Sequence, residues 1–352
     1  MSKIMDAIER KKHYGGVTLI ERMQECHTPG ISIVEIENYE ISTVYTYGVK
    51  RRNTKEKIEA NTLFQAASVS KPVFAAAVMR LVENGTLDLD ADITEYLIDY
   101  SIPAYDNQKY KITLRQILSH WAGLSLHGFP GYRKGQQIPR IDQILRGIHP
   151  AHLPKLKVIM EPGTRFMYSG GGYVLAEKII TDVCKRDFND LMCNLVFSPL
   201  SMTHSIYAQP LPDEMIHEIA FGYDFQNLQL PGGYFIMPEL SAAGLWTTPS
   251  DLALFGIEIM KALNGNSKLL KKDTAEIMTT KVYDGSPTGV GFWVESSKRG
   301  LLFSHDGDNR GYHSTIYFCP GDGSGFVIML NADIGVVIIE EFVNAFKEIC
   351  GW

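Results

Sequence analysis

One tetrapeptide places a potential nucleophile beside a potential base. Ser68 and Lys71 form the only S-x-x-K pattern in the chain, and the i, i+3 spacing puts both side chains on one face of a helix. Burial and the positive end of the helix dipole both lower the pKa of a lysine in a first turn. A neutral Lys71 can therefore take the hydroxyl proton of Ser68 and activate it as a nucleophile. The structural alternative is a helix-capping serine followed by a lysine that reaches for solvent.

Two later segments carry further candidates for chemistry. Tyr168 lies in a glycine-flanked turn before a predicted helix, where glycines allow a ligand to approach the backbone closely. His305 ends a predicted strand and is followed by Gly307 and Asp308. Taken singly, such a tyrosine is usually a packing residue and such a histidine is usually a surface residue.

Several motifs of other enzyme classes are absent from the sequence. The chain has no G-x-S-x-G, no H-E-x-x-H and no G-x-x-x-x-G-K-[ST]. Asp88, Asp90 and Asp92 alternate like calcium ligands, but the loop glycine and the closing glutamate are missing. We therefore expect no metal and no organic cofactor, and we interpret the three aspartates as a solvated turn.

Composition narrows the possible partners. The 352 residues carry a net charge of −6 and are 45% hydrophobic, which is typical of a folded globular chain and offers no general attraction to nucleic acid. The longest apolar runs are too short for membrane insertion.

No apolar block follows the first charged residues, so we expect no signal peptide and a cytoplasmic protein. The five cysteines show no C-x-x-C pair and are interpreted as reduced thiols.

The candidates must be positioned by helices and strands that the sequence pattern also predicts. The most apolar helix is predicted over residues 68–84, directly at the S-x-x-K. Glycines crowd residues 121–137, so this segment is predicted to be a long functional loop. An N-terminal hairpin is predicted from strands over residues 31–36 and 41–47. Helices are predicted over residues 114–119, 141–147, 172–196 and 251–263. Antiparallel strands over residues 291–295, 301–305, 312–319 and 325–331 precede a last helix over residues 338–349.

Taken together, these pieces resemble the penicillin-recognising serine hydrolases: class C β-lactamases, D-alanyl-D-alanine carboxypeptidases and the esterases built on the same scaffold. Their S-x-x-K, Y-x-N and K-T-G motifs occur in the same order as Ser68/Lys71, Tyr168-Ser169-Gly170 and His305-Asp306-Gly307. The flanking segments 62–65, 81–90, 112–124 and 242–252 also match the family's pattern, and the resemblance extends from about residue 28 onward.

The resemblance implies a two-lobed α/β fold of the β-lactamase/transpeptidase type. Residues 1–90 and 240–352 would form a lobe with an antiparallel sheet flanked by helices. Residues 91–239 would form a mainly helical inserted lobe, with the active site between the two.

The resemblance also implies a role for each motif residue. Ser68 would be the acylated nucleophile, and Lys71 and Tyr168 would share the acid–base work. The backbone N–H groups of Ser68 and Asp308 would form the oxyanion hole. His305, with Gly307 two residues on, would stand where the family carries the lysine of K-T-G.

Two departures from the family pattern concern the substrate. Gly170 replaces an asparagine that holds the substrate's acylamino group. His305 replaces a permanent cation with an imidazole whose unperturbed pKa is about 6.5. We therefore expect the charge on His305 to govern the recognition of an anionic substrate group. His127 and Tyr132, in the 121–137 loop, are further candidates for substrate contact.

Three functions remain open at this point. The first is a serine hydrolase that cleaves an ester or a short peptide or amide through an acyl-enzyme. The second is a β-lactamase or penicillin-binding D,D-carboxypeptidase. The third is a binding or sensor protein on the same scaffold that does not turn its ligand over. All three imply a small-molecule ester, peptide or β-lactam as ligand, and none fixes the oligomeric state.

Overall fold

The computed structural model describes residues 17–297 and 300–351. The first ten residues, on which the prediction about a signal peptide rests, lie outside the described ranges. In chain order the principal helices and strands are α1 (Leu19–Glu25), β1 (Gly30–Glu37), β2 (Glu40–Gly48), β3 (Phe64–Gln65), α2 (Ser70–Glu83), α3 (Leu114–Leu118), α4 (Ile141–Arg146), α5 (Gly170–Cys184), α6 (Phe188–Met192), α7 (Ser198–Leu200), α8 (Leu240–Ala243), β4 (Trp246–Thr247), α9 (Pro249–Leu263), α10 (Lys272–Thr279), β5 (Trp293–Ser297), β6 (Gly300–Asn309), β7 (Tyr312–Cys319), β8 (Ser324–Leu330) and α11 (Val336–Cys350).

A six-stranded antiparallel sheet joins the two ends of the chain. Its strand order is β2-β1-β8-β7-β6-β5, and β1 pairs with β8 so that Ile33 lies opposite Ile328. The predicted N-terminal hairpin and the four predicted C-terminal strands are confirmed. Strand β6 extends four residues beyond its predicted end at His305, as far as Asn309, and this extension carries Gly307 and Asp308.

Helices cover both faces of the sheet, because alternate residues of its strands point to opposite sides. On one face, Ile33 of β1 packs in a cluster with Leu19 of α1 and Phe342 of α11. On the other face, the neighbouring residue Val34 joins a larger core that includes Phe255 of α9. The sheet is therefore the middle layer of a three-layer arrangement.

The helix that follows the S-x-x-K serine is buried over most of its length. Residues 70–79 and Leu81 of α2 are all buried, which confirms the predicted apolar helix. The α-helix begins at Ser70, however, and Ser68 lies in a preceding 3-10 turn over Ala67–Val69. Ala67 has a φ of 49°, a left-handed conformation that non-glycine residues adopt rarely and that clusters at functional sites.

The structure corrects one prediction about the elements and adds elements that were not predicted. The single helix predicted over residues 172–196 is interrupted, because Lys185 adopts a left-handed φ of 50° and Asp187 caps the new helix α6. The two-residue strands β3 and β4 pair with each other, and neither was predicted. Helix α10 was also missed. The residues around Lys185 include no glycine or proline that would have marked the break in the sequence.

Residues 91–239, all of which the structure describes, contribute the 15-residue helix α5, several shorter helices and long connections, and no strand of the large sheet. The division into lobes at residues 90 and 240 stays a prediction. Across the described ranges, no helix combines the length and the apolar character that a membrane crossing requires. Cys26, Cys184, Cys193 and Cys319 are free thiols.

Candidate active site

The S-x-x-K pair is brought into direct contact. The Lys71 ammonium nitrogen Nζ lies 2.9 Å from Ser68 Oγ and donates a second hydrogen bond of 2.7 Å to the backbone carbonyl of Ala242 in α8. Lys71 is buried, whereas Ser68 is partly exposed. A serine that is open to solvent, with a lysine fixed beneath it, has the geometry of an activated nucleophile.

Burial changes the protonation of Lys71. Loss of solvation lowers the pKa of its amine from 10.5 to about 7, because a buried charge loses its interaction with water. A substantial fraction of Lys71 is therefore neutral near pH 7. A neutral amine at 2.9 Å can accept the Ser68 proton, as the sequence predicted.

Tyr168 is the third side chain that contacts this pair. Its phenol shares a hydrogen bond with the Ser68 hydroxyl, and its ring centroid lies 5.0 Å from Lys71 Nζ. Burial raises the pKa of this phenol well above its ordinary value, although the hydrogen bond with Ser68 opposes part of that rise. Tyr168 is consequently a neutral proton donor at neutral pH.

His120 orients Tyr168, a role that the sequence analysis did not assign. Its imidazole stacks on the Tyr168 ring at a centroid distance of 4.1 Å, and its Nδ1 accepts a 3.1 Å hydrogen bond from the backbone N–H of Ser169. Burial, together with the charge on Lys71, lowers the pKa of His120 well below its usual value. His120 lies within residues 112–124, a segment that matches the family's pattern. That match was the only indication in the sequence that His120 belongs to the site.

His305 does not carry the titrating charge that the sequence predicted. The side chain is buried, and burial together with the charge on Lys71 lowers its pKa to about 3. Its Nδ1 lies 2.7 Å from the backbone carbonyl of Asp306. Because a carbonyl only accepts hydrogen bonds, Nδ1 carries the proton and Nε2 keeps its lone pair. The expectation of a half-charged imidazole near neutrality is therefore wrong.

An open cleft of about 970 Å³ lies above these residues. Along β6 the exposure alternates: His305 and Gly307 are buried, while Asp306 and Asp308 are exposed in the cleft. Gly307 brings β6 close to the turn that carries Ser68, since a Cβ at this position would lie 2.2 Å from the carbonyl oxygen of Ala66. The catalytic group and the outer carboxylates therefore occupy opposite sides of one strand.

The 121–137 loop forms another wall of the cleft. His127 and Phe129 line the cleft, as predicted for His127, and Gly170 is buried behind them. A Cβ at Gly170 would lie 2.8 Å from Cε2 of Phe129, so the loop covers the position at which the family places its asparagine. Tyr132 lies outside the cleft, where its hydroxyl accepts a hydrogen bond from the backbone N–H of His152. The prediction of a substrate contact for Tyr132 is wrong.

Within residues 17–297 and 300–351, no group of three or more His, Cys, Asp or Glu side chains is placed to hold a metal ion.

Comparison with known proteins agrees with this architecture. The Beta-lactamase family model matches residues 18–338, and the chain belongs to that family. A relative from Staphylococcus aureus (strain MRSA252), named Protein flp, is 26% identical over 89% of this chain and 62% of its own length. The chain thus spans about three fifths of that relative. A penicillin-binding protein from Bacillus subtilis (strain 168) is 24% identical over 86% of this chain and 68% of its own.

Solved structures show the same fold. D-amino acid amidase from Ochrobactrum anthropi SV3, complexed with L-phenylalanine amide, superposes with a TM-score of 0.74 at 21% identity, covering 99% of both chains. The octameric penicillin-binding protein homologue from Pyrococcus abyssi gives a TM-score of 0.73 at 22% identity over 95% of this chain and 76% of its own. The predicted β-lactamase/transpeptidase-like fold is confirmed.

Proposed function

We propose that this protein is a serine hydrolase that cleaves an ester or amide bond through an acyl-enzyme on Ser68. The observation that carries the proposal is the contact between Ser68 Oγ and Lys71 Nζ at 2.9 Å, with Tyr168 hydrogen-bonded to the same hydroxyl. A ligand-binding protein that does not turn its ligand over has no need of a neutral buried lysine and a phenol on one serine.

Acylation begins with neutral Lys71. It takes the Ser68 proton as Oγ bonds to the carbonyl carbon, and the carbonyl π electrons move to oxygen. The tetrahedral intermediate then collapses, the bond to the leaving group breaks, and the leaving oxygen or nitrogen takes the phenol proton of Tyr168. Tyr168 regains a proton from the Lys71 ammonium.

The oxyanion is assigned to the backbone N–H groups of Ser68 and Asp308, as the family resemblance implies. The close approach of Gly307 to Ala66 supports this assignment, because it holds β6 against the turn that carries Ser68. Ser314 adds a 2.6 Å hydrogen bond to the Ala66 carbonyl. Donors fixed in this way stabilise developing charge without reorganising during the reaction.

Deacylation repeats the sequence with water as the nucleophile. Neutral Lys71 removes a proton from water as the water oxygen bonds to the acyl carbon. Collapse of the second intermediate breaks the bond to Oγ, Ser68 regains its proton, and the carboxylic acid leaves.

Mass spectrometry tests this proposal directly. The purified protein is treated with a fluorophosphonate and, separately, with a slowly hydrolysed p-nitrophenyl ester. We expect one adduct per chain, mapped to Ser68 after digestion, and a burst of p-nitrophenol of matching size. Labelling at any other serine, or no adduct with either reagent, would contradict the proposal.

A β-lactam is the second candidate substrate, favoured by the family to which the chain belongs and by the penicillin-binding protein among its relatives. The neutral, buried His305 offers no cation for a β-lactam carboxylate. Incubation with a fluorescent penicillin separates the two candidates. A stable adduct on Ser68 supports penicillin binding, and rapid release of the hydrolysed ring supports β-lactamase activity.

A further inference from the structure

One buried asparagine lies where the strand of the proposed oxyanion hole meets the supports of the nucleophile and the base. Asn309 is the last residue of β6, follows Asp308 directly and is 6% exposed. It shares the inner face of the strand with His305 and Gly307, because alternate residues of a strand point to one side. The mechanism proposed above makes no use of its amide.

The amide of Asn309 donates to two other segments of the chain. Its Nδ2 lies 2.8 Å from Oε1 of Gln65 in β3 and 3.0 Å from the backbone carbonyl oxygen of Ala243 in α8. Because a carbonyl only accepts hydrogen bonds, Ala243 fixes which end of the Asn309 amide is the nitrogen. Gln65 is oriented in the same way, since its Nε2 donates a 2.7 Å bond to the carbonyl of Phe235. The two N–H groups of Asn309 therefore match two fixed acceptors.

Both acceptors adjoin the catalytic group in sequence. Ala243 follows Ala242, whose carbonyl accepts the 2.7 Å hydrogen bond from Lys71. Gln65 is 0% exposed and lies three residues before Ser68. One side chain therefore links the end of β6 to the segments that support the base and the nucleophile.

The end of β6 depends on such a link because one of its edges is open. Strand β5 pairs with β6 only as far as Ser304, which lies opposite Trp293. Beyond that point, in the part of the chain that the structure describes, β7 is the one strand paired with β6. The Asn309 side chain ties this segment to α8 and β3 from the inner side. Removing the tie would let the backbone N–H of Asp308 shift relative to the nucleophile.

Given the hydrolase function proposed above, on which this inference rests, we propose that Asn309 is a positioning residue that holds the Asp308 N–H in place relative to Ser68. Asn309 does not line the cleft, and its amide carries no charge. Its contribution therefore arises where negative charge develops on the carbonyl oxygen, in the transition state of acylation.

Two substrates that differ in one atom test this role. p-Nitrophenyl acetate and its thiono analogue share the leaving group, but sulfur replaces the carbonyl oxygen in the analogue. Sulfur accepts hydrogen bonds weakly, so a well-formed oxyanion hole favours the oxygen ester. The ratio of kcat/KM for the oxygen ester to kcat/KM for the thiono ester is measured on one preparation. This oxygen-to-sulfur ratio does not depend on how much of the preparation is folded.

Two variants weaken the link to different degrees. Asn309→Ser removes the two-donor bridge, because the serine hydroxyl is shorter and supplies a single donor. It should lower kcat/KM for the oxygen ester by about 10- to 100-fold and the oxygen-to-sulfur ratio by about fivefold. The loss is smaller than that of a whole oxyanion donor, since the hydrogen bond from Ser314 to Ala66 remains. Gln65→Met keeps the acceptor at Ala243 and should lower the ratio by about twofold.

Asn331→Ser is the matched control. Asn331 is also 0% exposed and bridges segments, because its Nδ2 donates a 2.9 Å bond to the Phe221 carbonyl and its Oδ1 accepts a 2.8 Å bond from the Gly30 N–H. None of these three residues lines the cleft. Asn331→Ser and Asn309→Ser should both lower Tm, since each leaves a buried carbonyl without its donor. Only Asn309→Ser should lower the oxygen-to-sulfur ratio.

The outcomes separate this inference from the proposed function. If Ser68 is labelled and the ester is cleaved, but Asn309→Ser keeps the wild-type ratio or Asn331→Ser lowers it equally, the inference is overturned and the hydrolase stands. If Ser68 is never labelled and no ester is cleaved, the proposed function fails and the inference falls with it. Should Asn309→Ser not fold, Gln65→Met decides, and a ratio equal to that of the wild type overturns the inference.

Discussion

The two sides of strand β6 obey different constraints. On the inner side, His305 and Gly307 are buried against the Ser68 turn, and a single added carbon at Gly307 would collide with the Ala66 carbonyl. On the outer side, Asp306 and Asp308 project into an open cleft. Packing constrains the buried inner side more than the exposed outer side. Substitutions on the inner side should therefore cost more stability than substitutions on the outer side.

The largest effect is expected on the inner side, at the nucleophile. Ser68→Ala should lower kcat/KM for an ester by about four to six orders of magnitude, since it removes the atom that is acylated. Thermal unfolding should change little, because Ser68 is partly exposed. Ester kinetics and calorimetry check both statements. Ser101→Ala, on an exposed loop, is the matched control, and activity retained by Ser68→Ala would remove Ser68 from the mechanism.

The proton-transfer partners come next. Lys71→Ala and Tyr168→Phe should each lower the acylation rate by about two to four orders of magnitude. The double variant should be little worse than either single variant, because groups that act as a unit lose function together. Stopped-flow measurement of the acylation burst gives these rates. Nearly wild-type acylation in Tyr168→Phe would make that tyrosine a packing residue only.

The pH dependence distinguishes Lys71 from His305. Burial lowers the pKa of Lys71 to about 7, so its base form accumulates as pH rises through 7 and kcat/KM should rise over the same range. The pKa of His305, lowered to about 3, leaves that side chain neutral throughout.

Carboxylate-bearing and neutral esters should therefore share one profile between about pH 6 and 8, since Lys71 acts on both substrates alike and His305 stays neutral. Parallel kcat/KM measurements on the two esters provide the check. If kcat/KM for the carboxylate ester alone fell above about pH 6.5, the hypothesis of a charged His305 imidazole would be supported instead.

A smaller effect on kcat/KM is expected at Glu177, which lies behind the residues that contact Lys71. Glu177 is buried and accepts a 2.7 Å hydrogen bond from the backbone N–H of Ser241, which helps hold the neighbouring Ala242 carbonyl in place for Lys71. Glu177→Gln keeps an acceptor oxygen and should lower kcat/KM by less than about tenfold.

The Glu177→Gln substitution should have a clearer effect on how the stability of the fold changes with pH. Burial raises the pKa of Glu177 from 4.5 to about 7, so between these values the unfolded chain releases the proton first and the wild type loses stability as pH rises. Glu177→Gln should remove that loss, which calorimetry across pH would record as a gain of several degrees in Tm relative to wild type by pH 7. If Tm changed equally with pH in the wild type and in Glu177→Gln, the raised pKa of the buried Glu177 carboxyl would be contradicted.

Local patterns predicted the parts of the site that are set by neighbours in the chain. The S-x-x-K spacing alone placed Ser68 and Lys71 within hydrogen-bonding reach, because a helical turn fixes that distance. The hairpin β1–β2 and the apolar helix α2 followed from periodicity for the same reason. In each case the relevant partners lie within a few residues.

Properties that depend on distant segments were not predictable in this way. The charge of His305 depends on burial that segments far along the chain create, so its local sequence indicated a surface residue. The stacking of His120 on Tyr168 and the covering of Gly170 by Phe129 likewise join residues about 40 or more positions apart. The pairing of β3 with β4 involves only two residues in each strand, too few to produce a pattern.

The pairing of β1 with β8 has a consequence for how the site comes into being over time. Ser68 leaves the ribosome well before β6 and the strands that hold β6 in the sheet, because they lie far along the chain from Ser68. At a synthesis rate of about 5–20 residues per second, the roughly 240 residues between Ser68 and Asp308 take on the order of 10–50 s to make. The growing chain therefore lacks one of the two proposed oxyanion-hole donors throughout that interval. Reactivity at Ser68 should switch on only when the last strands close the sheet.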